Sequence, residues 1–401
     1  MPSSSGYHLE LAIPKTDLLT PDLVLVGGGL ANLLLAWRLG DLRPAASFLL
    51  LEQGQVFGGN HTWSYHGTDL EPSSQEWVGR LARASWPDSE VRFPKFTRNL
   101  PGTYHSLDST DLAARVVARF GDRIMVGTSA RQVGPSTVEL SDGRVIRAGA
   151  VIDGRGWDIR LPVSVGYQRF FGLELRLASP HGLTSPLLMD ATVPQDGGFR
   201  FIYVLPLGPD VVLVEDTVYG DHPAHDESES RRAIERYLAG RGWAVTSELR
   251  QERGALPIPL ALRVEELVAH QETGVPTIGV RAGLMHPTTG YSLPFAVRTA
   301  ELIATAPVLT SAALLGPVIA LTRATFHRQW FLRMLNRLLF RAAEPADRYL
   351  VLQKFYQLPA PTIARFYADR LTMTDKIRIV TGRPPVSVGR ALRWIHERPG
   401  Q

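Results

Sequence analysis

At 401 residues, with 44% hydrophobic and 20% charged residues, the chain has the composition of a folded protein of two or three packed units, which excludes a disordered chain and a polytopic membrane protein. The absence of cysteine excludes disulfides, thiolate nucleophiles and cysteine-bound metals, so redox chemistry here needs a cofactor. A formal net charge of +4 is a modest basic surplus, which suits anionic lipid, a nucleotide or no particular partner.

Met1 to Thr20, with Ser3-Ser4-Ser5-Gly6 and no long apolar core, reads as a loose leader and not as a secretory signal. Asp22 to Val26 is a short apolar strand, Gly27-Gly28-Gly29 a tight turn, and Leu30 to Leu39 a helix rich in Leu and Ala. A second apolar strand, Phe48 to Leu51, ends at Glu52 before the flexible stretch Gln53 to Gly59, and these segments make one beta-alpha-beta unit. Past a polar region with Trp63, Trp77 and Trp86, Asp108 to Phe120 has helical character with Ser109 placed to cap it, and Arg123 to Val126 reads as a strand. The turn Ser141-Asp142-Gly143 joins Ser136–Leu140 to Arg144–Ala148 as a hairpin, and Val151 to Gly156 is a strand that ends in a glycine-bearing loop.

From about residue 165 to 265 the chain changes character, with beta-like runs at Phe170–Leu177, Phe199–Val204 and Val211–Glu215 among Pro and Gly, which predicts a second unit built on a sheet. Pro276 to Val280 returns to a strand pattern and Tyr291 to Ala306 to a helix, so the chain re-enters its first unit; the remainder is mostly helical, with no internal repeat. The run Leu302–Thr322 carries no charge, but Pro307 and Pro317 interrupt it, which favours a buried broken helix over a membrane crossing. The expected division is 21–85 with 105–160 and 270–310 for a nucleotide-binding unit, 86–104 with 161–269 for a substrate-binding sheet unit, and 311–401 for a helical, membrane-facing region.

Gly27-x-Gly29 lies between a strand and a helix, where small residues let a pyrophosphate reach the free N–H groups of the helix start. Glu52, 25 residues after Gly27 at the end of the next strand, is positioned to accept ribose hydroxyls; Asn32 occupies the third fingerprint position in place of Gly or Ala. Asp153-Gly154-Arg155-Gly156 reads either as a second glycine loop beside the nucleotide or as an ordinary strand exit. The stretch Gly283 to Ser292 leads into a helix, so its N–H groups either face an anionic ligand or form a turn around a satisfied His286.

Glu215 and Asp216 follow an apolar strand, and the alternation of side chains sends them to opposite faces; an exposed acid pair at a strand end is the plain explanation. Asp190 and Arg200 flank the Pro194–Gly198 turn and read as an ion pair. Phe170, Phe171, Phe199, Phe201 and Tyr203 on strands read first as core, with an electron-rich cofactor or substrate wall as the alternative, and His61 and His286 have no companions at metal-ligand spacing. Arg323–Arg341 reads as an amphipathic basic helix, either lying on anionic lipid or packed on the protein with a solvated Arg face, and Tyr349–Tyr367 offers a second aromatic surface.

Several stretches resemble the lycopene beta-cyclases of bacterial carotenoid synthesis: Leu25-Val-Gly-Gly-Gly-Leu-Ala-Asn32, Gly58-Gly-Asn-His-Thr-Trp-Ser64, Val151 to Gly156, Leu188 to Gln195, Leu213-Val-Glu-Asp-Thr217, Arg281 to Pro294 and Thr381-Gly-Arg-Pro-Pro385. The similarity runs from Leu23 nearly to the C-terminus; the family usually has Gly where Leu33 stands here.

The resemblance implies an α/β fold with an α+β second domain. Its parts are a discontinuous Rossmann-like FAD-binding domain of the aromatic hydroxylase and geranylgeranyl reductase type, a β-sheet substrate domain and C-terminal helices. It implies net non-redox cyclisation of the psi-ends of lycopene, or a similar linear carotenoid, to beta-ionone rings, with FAD in its reduced form and NADPH or NADH as electron donor. The cofactor contacts it implies are Gly27, Gly29, Ala31, Asn32, Glu52, Gly59, Asn60, His61, Asp153, Gly154, Gly283, His286, Pro287, Thr289, Gly290 and Tyr291.

Adding a proton to an alkene near neutral pH needs a carboxyl lifted from its ordinary pKa of about 4.3 by an apolar site or a neighbouring anion. The resemblance gives Glu215 that role, as general acid and then general base, with Asp216 behind it. A flavin monooxygenase or polyisoprenoid reductase shares the architecture and would add oxygen or hydrogen to the substrate; a carotenoid-binding protein would leave it unchanged. The expected setting is the cytoplasmic side of a membrane, held peripherally, with no nucleic-acid partner.

Overall fold

The computed structural model describes residues 20–157, 164–224, 226–269, 273–382 and 388–395. Apart from Thr20 the leader lies outside the described residues, as do Arg383, Pro384 and Pro385 of the last family-like stretch.

A parallel four-stranded sheet runs in the order Ala150–Asp153, Leu23–Val26, Phe48–Leu51, Ile124–Met125. The first three strands are continuous buried runs, as parallel strands covered on both faces must be. One face packs on the helices Leu30–Leu42, Ser109–Phe120 and Leu293–Ala304, and the other on the antiparallel strands 130–147, which contain the expected hairpin, Thr137–Leu140 with Val145–Arg147. The Ser109–Phe120 helix is capped by Asp108, whose carboxylate accepts the N–H groups of Thr110 and Asp111. Ser109 is not the cap, because its hydroxyl takes the N–H of His61. Pro276–Val280 does not form the expected strand: Thr277 alone bridges to Asp153 before a 3-10 turn at Gly279–Ala282, where Gly279 has φ +64.

The large sheet has eight strands, in the order Val245–Ala261, Ser164–Leu177, Val211–Gly220, Phe199–Pro206, Leu187–Asp190, Ala84–Phe93, Phe96–Asp108, Thr62–His66. It includes residues 62–66 and 105–108, which the expected division gives to the nucleotide unit. The chain therefore passes from the glycine-rich stretch at 58–59 directly onto the edge of this sheet. One face is closed by the helix Glu227–Gly240 through Leu173, Val204, Val212 and Ile234. The other is closed by the C-terminal helices through Phe201, Tyr219, Leu332, Phe340, Tyr356 and Phe366.

Arg323–Arg341 is not one amphipathic helix. Ser311–Arg328 stops at Gln329, whose side-chain amide donates to Met285 O and Asp369; Trp330–Arg337 and a π turn over Leu338–Ala342 follow. Phe331, Leu332, Leu339 and Phe340 are buried, so much of the apolar side of this segment is spent on the protein itself, and Tyr356, Phe366 and Tyr367 are likewise core. The uncharged run at 302–322 is broken at only one of its two prolines: Leu293–Ala304 ends before Pro307, whereas Pro317 sits inside the continuous helix Ser311–Arg328. Among the described residues no helix is long and apolar enough to cross a membrane.

Candidate functional site

The turn after the first strand opens into a cleft. Gly27 has φ +98, and a Cβ there would stand 3.0 Å from Arg155 N and Gly154 O, so only glycine lets the turn pack against the Asp153–Gly156 loop. A Cβ on Gly29 would meet nothing within 4 Å, and no side chain caps the helix Leu30–Leu42 that starts there. Leu30 and Ala31 line the cleft with Gly59, Gly154 and Gly279, which leaves an uncapped helix start aimed at open space. Glu52 closes one rim, taking the N–H of Gly28 on one oxygen and of Gly54 on the other, both at 2.7 Å. Asn32 turns away from the cleft: fully buried, its amide donates to Val26 O at 3.0 Å and Gly27 O at 2.8 Å and braces the turn from behind. Asp153 is held by Arg155 at 2.7 Å and Arg281 at 3.0 Å.

His61, Trp63, Leu256 and Ser292 line both the cleft and a second cavity, so the two spaces share walls. The cavity is walled by Phe170, Phe201, Tyr203, Tyr219 and Tyr291. The Tyr104 hydroxyl bridges Tyr203 at 3.0 Å and Tyr291 at 2.8 Å, and Tyr203 reaches Ser64 at 2.9 Å; mutually satisfied hydroxyls leave ring surface for the cavity. Of the aromatic residues expected as core, Phe171 packs on the far face and Phe199 is buried beside Phe201, whereas Phe170, Phe201 and Tyr203 are cavity wall.

Thr289, Gly290 and Tyr291 reach the cavity; Gly283, His286 and Pro287 do not line it. His286 is fully buried, with Nε2 on Phe366 O at 2.9 Å and Nδ1 near the N–H groups of Thr288 and Thr289, and burial holds it below the ordinary histidine pKa, as a neutral ring. Asn60 lies outside both spaces, with its side chain on Arg250 and Gln251 O. Among the described residues no three His, Asp or Glu are grouped to hold a metal.

Glu215 projects into the cavity from the middle of the strand Val211–Gly220, five residues before its end, and not from a strand terminus. It is partly accessible only because the cavity is in front of it. Burial first, and then the neighbouring carboxyl of Glu252, push its carboxyl up to about 8, against the opposing effect of Thr217, which donates to Oε1 at 2.5 Å. An acid of this kind is protonated at neutral pH and faces aromatic rings, so it can deliver a proton to an apolar ligand.

Asp216 points to the opposite face, fully buried, with Arg200 Nε and Nη2 at 2.7 and 2.9 Å and the Ser230 hydroxyl. The expected Asp190–Arg200 pair does not form, because the register of their strands sets Arg200 diagonally across from Asp216; Asp190 takes Arg241 at 3.1 Å and Tyr237 at 2.9 Å. Sequence reasoning missed Glu252 and Tyr104. Glu252 has one signal, an acid two residues from Arg250 on a run that turns apolar, and Tyr104 has none.

A family model described as lycopene cyclase protein matches residues 22–393. A lycopene beta-cyclase of Pseudescherichia vulneris is 47% identical over 93% of this chain and 96% of its own length. Among solved structures, p-nitrophenol 4-monooxygenase PnpA of Pseudomonas putida superposes with a TM-score of 0.56 at 16% identity, over 88% of this chain and 98% of that one. A geranylgeranyl bacteriochlorophyll reductase-like protein of Thermoplasma acidophilum gives 0.52 at 14%, over 94% and 96%. At these identities the two structures speak for the fold, the mixed α/β architecture of flavin-dependent oxygenases and reductases.

Proposed function

The chain belongs to the lycopene cyclase family, and we propose that it carries out that chemistry with Glu215 as proton donor and acceptor, at a cavity served by reduced FAD in the adjoining cleft. Its reaction is the lycopene beta-cyclase reaction, which turns the psi-ends of a linear carotenoid into beta-ionone rings.

The observation that supports the mechanism most is the setting of Glu215, a carboxyl pushed up to about 8 that faces an aromatic cavity. The Glu215 O–H bond breaks as its proton joins the terminal alkene, and the tertiary cation left behind is attacked by the inner alkene, which closes the ring. The ring cation then gives up a proton, which Glu215, now a carboxylate, receives. Atoms and electrons balance without an oxidant, so substrate and product are isomers, and we assign the enzyme to the intramolecular lyases. Phe170, Phe201 and the tyrosine wall offer electron-rich faces to the cation and keep out water that would trap it.

The cleft suits FAD: the helix start at Gly29 is uncapped and unobstructed, for pyrophosphate, and Glu52 stands at the rim, for ribose. Reduced by NADPH or NADH, the bound flavin would supply negative charge beside the cation.

Peripheral attachment to a membrane on its cytoplasmic side, where a carotenoid is found, belongs to the same proposal. Residues 311–401 hold 15 Lys and Arg against 5 Asp and Glu, while residues 1–310 hold 28 against 34. Met373, Ile377 and Val380 form a stripe on the helix Met373–Val380, each at least half exposed, near Trp330, whose ring lies 5.2 Å from Lys376 Nζ. An exposed apolar stripe in a basic region suits an anionic lipid surface.

Anaerobic incubation with lycopene, FAD and NADPH, followed by chromatography and mass analysis, tests the reading. Cyclic product of unchanged mass is expected; a product heavier by oxygen or hydrogen would contradict it.

A further inference from the structure

Glu252 lines neither the cleft nor the cavity, yet the sheet sets it in line with Glu215. In strand register Tyr203 pairs with Glu215, Glu215 with Gly172, and Gly172 with Glu252, so the four residues form one row across four neighbouring strands and point to the same face. Glu215 and Glu252 are two strands apart, a separation of roughly 9.5 Å between backbones. Two glutamates can close that distance only if the residue between them has no side chain. A Cβ at Gly172 would stand 3.0 Å from Glu252 Cγ, 3.3 Å from Glu252 Oε1 and 3.4 Å from Glu215 Cβ. Across this bare position the two glutamate side chains approach each other, close enough for the charge of one carboxyl to bear on the other.

The two partners are not equivalent. Glu252, 2% exposed, accepts the Thr62 hydroxyl at 2.9 Å and Arg250 Nη1 at 2.8 Å, and Arg250 is fixed in turn by Glu174 at 3.2 Å and Asp108 at 3.4 Å. Among the described residues, the one hydrogen bond to the Glu215 carboxyl comes from the Thr217 hydroxyl. Burial raises both carboxyls above the ordinary range, but a cation and a hydroxyl lower Glu252 again. Of the two, Glu215 is therefore the better holder of a proton and Glu252 the better holder of negative charge.

We propose that Glu252 is a positioning residue for the cyclisation acid: across the gap at Gly172 its carboxylate accepts the Glu215 proton, which keeps Glu215 charged with a proton at rest and favours its return after transfer. This rests on the cyclase reading for its chemistry. Once Glu215 has protonated the alkene, two carboxylates face each other, and recapture of the ring proton by Glu215 restores one proton to the pair. The other groups around the pair are Arg250, Asp108 and Glu174 beyond Glu252, His61, Tyr203 and Tyr219 on the cavity side, and Asp216 on the far face with its charge matched by Arg200.

The test uses the full-length holoprotein and the variants Glu252→Gln, Glu252→Asp and Gly172→Ala. The pH profile of kcat/KM for anaerobic lycopene cyclisation should lose activity above pH about 8 in the parent. In Glu252→Gln this basic limb should move down by at least about one unit, a tenfold loss of protonated acid on that limb. Glu252→Asp should recover part of the shift, and Gly172→Ala, which forces the pair apart while keeping both acids, should reproduce it. Infrared titration of the substrate-free protein, with Glu215→Gln as the blank, should show the Glu215 ionisation midpoint falling by the same amount. An unmoved limb together with an unmoved infrared midpoint in Glu252→Gln and Gly172→Ala overturns the proposal. A parent that forms no cyclic product sinks the cyclase reading instead, and the infrared midpoints still decide the pairing.

Discussion

Glu215 and Asp216 are neighbours on one strand and occupy opposite electrostatic settings: Glu215 faces an aromatic cavity and another carboxyl, while Asp216 is gripped by Arg200 on the far side of the sheet. The period of two along a strand separates them, so one acid holds a proton for chemistry and the other is paired with a buried guanidinium.

Asp216 is thus a structural anchor first. Asp216→Ala leaves Arg200 buried without its carboxylate, and the expected loss is about 3–5 kcal/mol of stability. Urea denaturation checks it; a midpoint equal to that of the parent would show that the pair contributes nothing.

Glu215 makes stability depend on pH in a definite direction. Its folded pKa of about 8 lies above the ordinary value of 4.5, so between these values the folded chain holds a proton that the unfolded chain has released. That contribution is complete below about pH 4.5 and is lost as pH rises to about 8. The melting temperature of the parent should fall across this window relative to Glu215→Gln, which has no proton to lose. Parallel curves for the two proteins would contradict the raised pKa.

Gly27→Ala should cost about 1–3 kcal/mol, since a side chain at φ +98 is strained and its Cβ would press on Arg155 and Gly154. The same displacement opens the turn beside the cleft, so FAD titrated by fluorescence quenching should bind more weakly. Unchanged affinity would remove the turn from the cofactor site.

Membrane attachment through the exposed stripe predicts that the double variant Met373→Asp, Ile377→Asp lowers flotation with phosphatidylglycerol vesicles by about tenfold or more, through lost apolar burial and added negative charge. Phosphatidylcholine vesicles should bind the parent less well, and salt should weaken the anionic case. Equal flotation of parent and double variant would exclude this surface.

The nucleotide unit was legible from local signals, because a buried parallel strand, a glycine turn and a helix leave a pattern within thirty residues: Phe48–Leu51 has the expected bounds, and Leu23–Val26 differs by one residue. The large sheet was legible only in pieces. Val245–Ala261 begins with five exposed residues, Val245–Leu249, and ends in an apolar run with two prolines, so it carries no single period, and its pairing with Ser164–Leu177 is decided some 80 residues away. The single helix expected over Arg323–Arg341 is broken at Gln329 and much of its apolar side is buried, a division its sequence does not state: an amphipathic pattern says that one face is covered, not whether protein or lipid covers it. Glu215 was found through family resemblance, but the features that set its chemistry, the bare Gly172 and Glu252 beyond it, exist only once three strands lie side by side.

The central claim is that Glu215 delivers the proton, and Glu215→Gln tests it most directly, since the amide keeps the shape of the side chain and has no acidic proton to give. With lycopene, FAD and NADPH under anaerobic conditions, the parent should form cyclic carotenoid, and the variant, folded and still binding FAD, should form it at least about 100-fold more slowly. Equal rates from the two proteins would contradict the account.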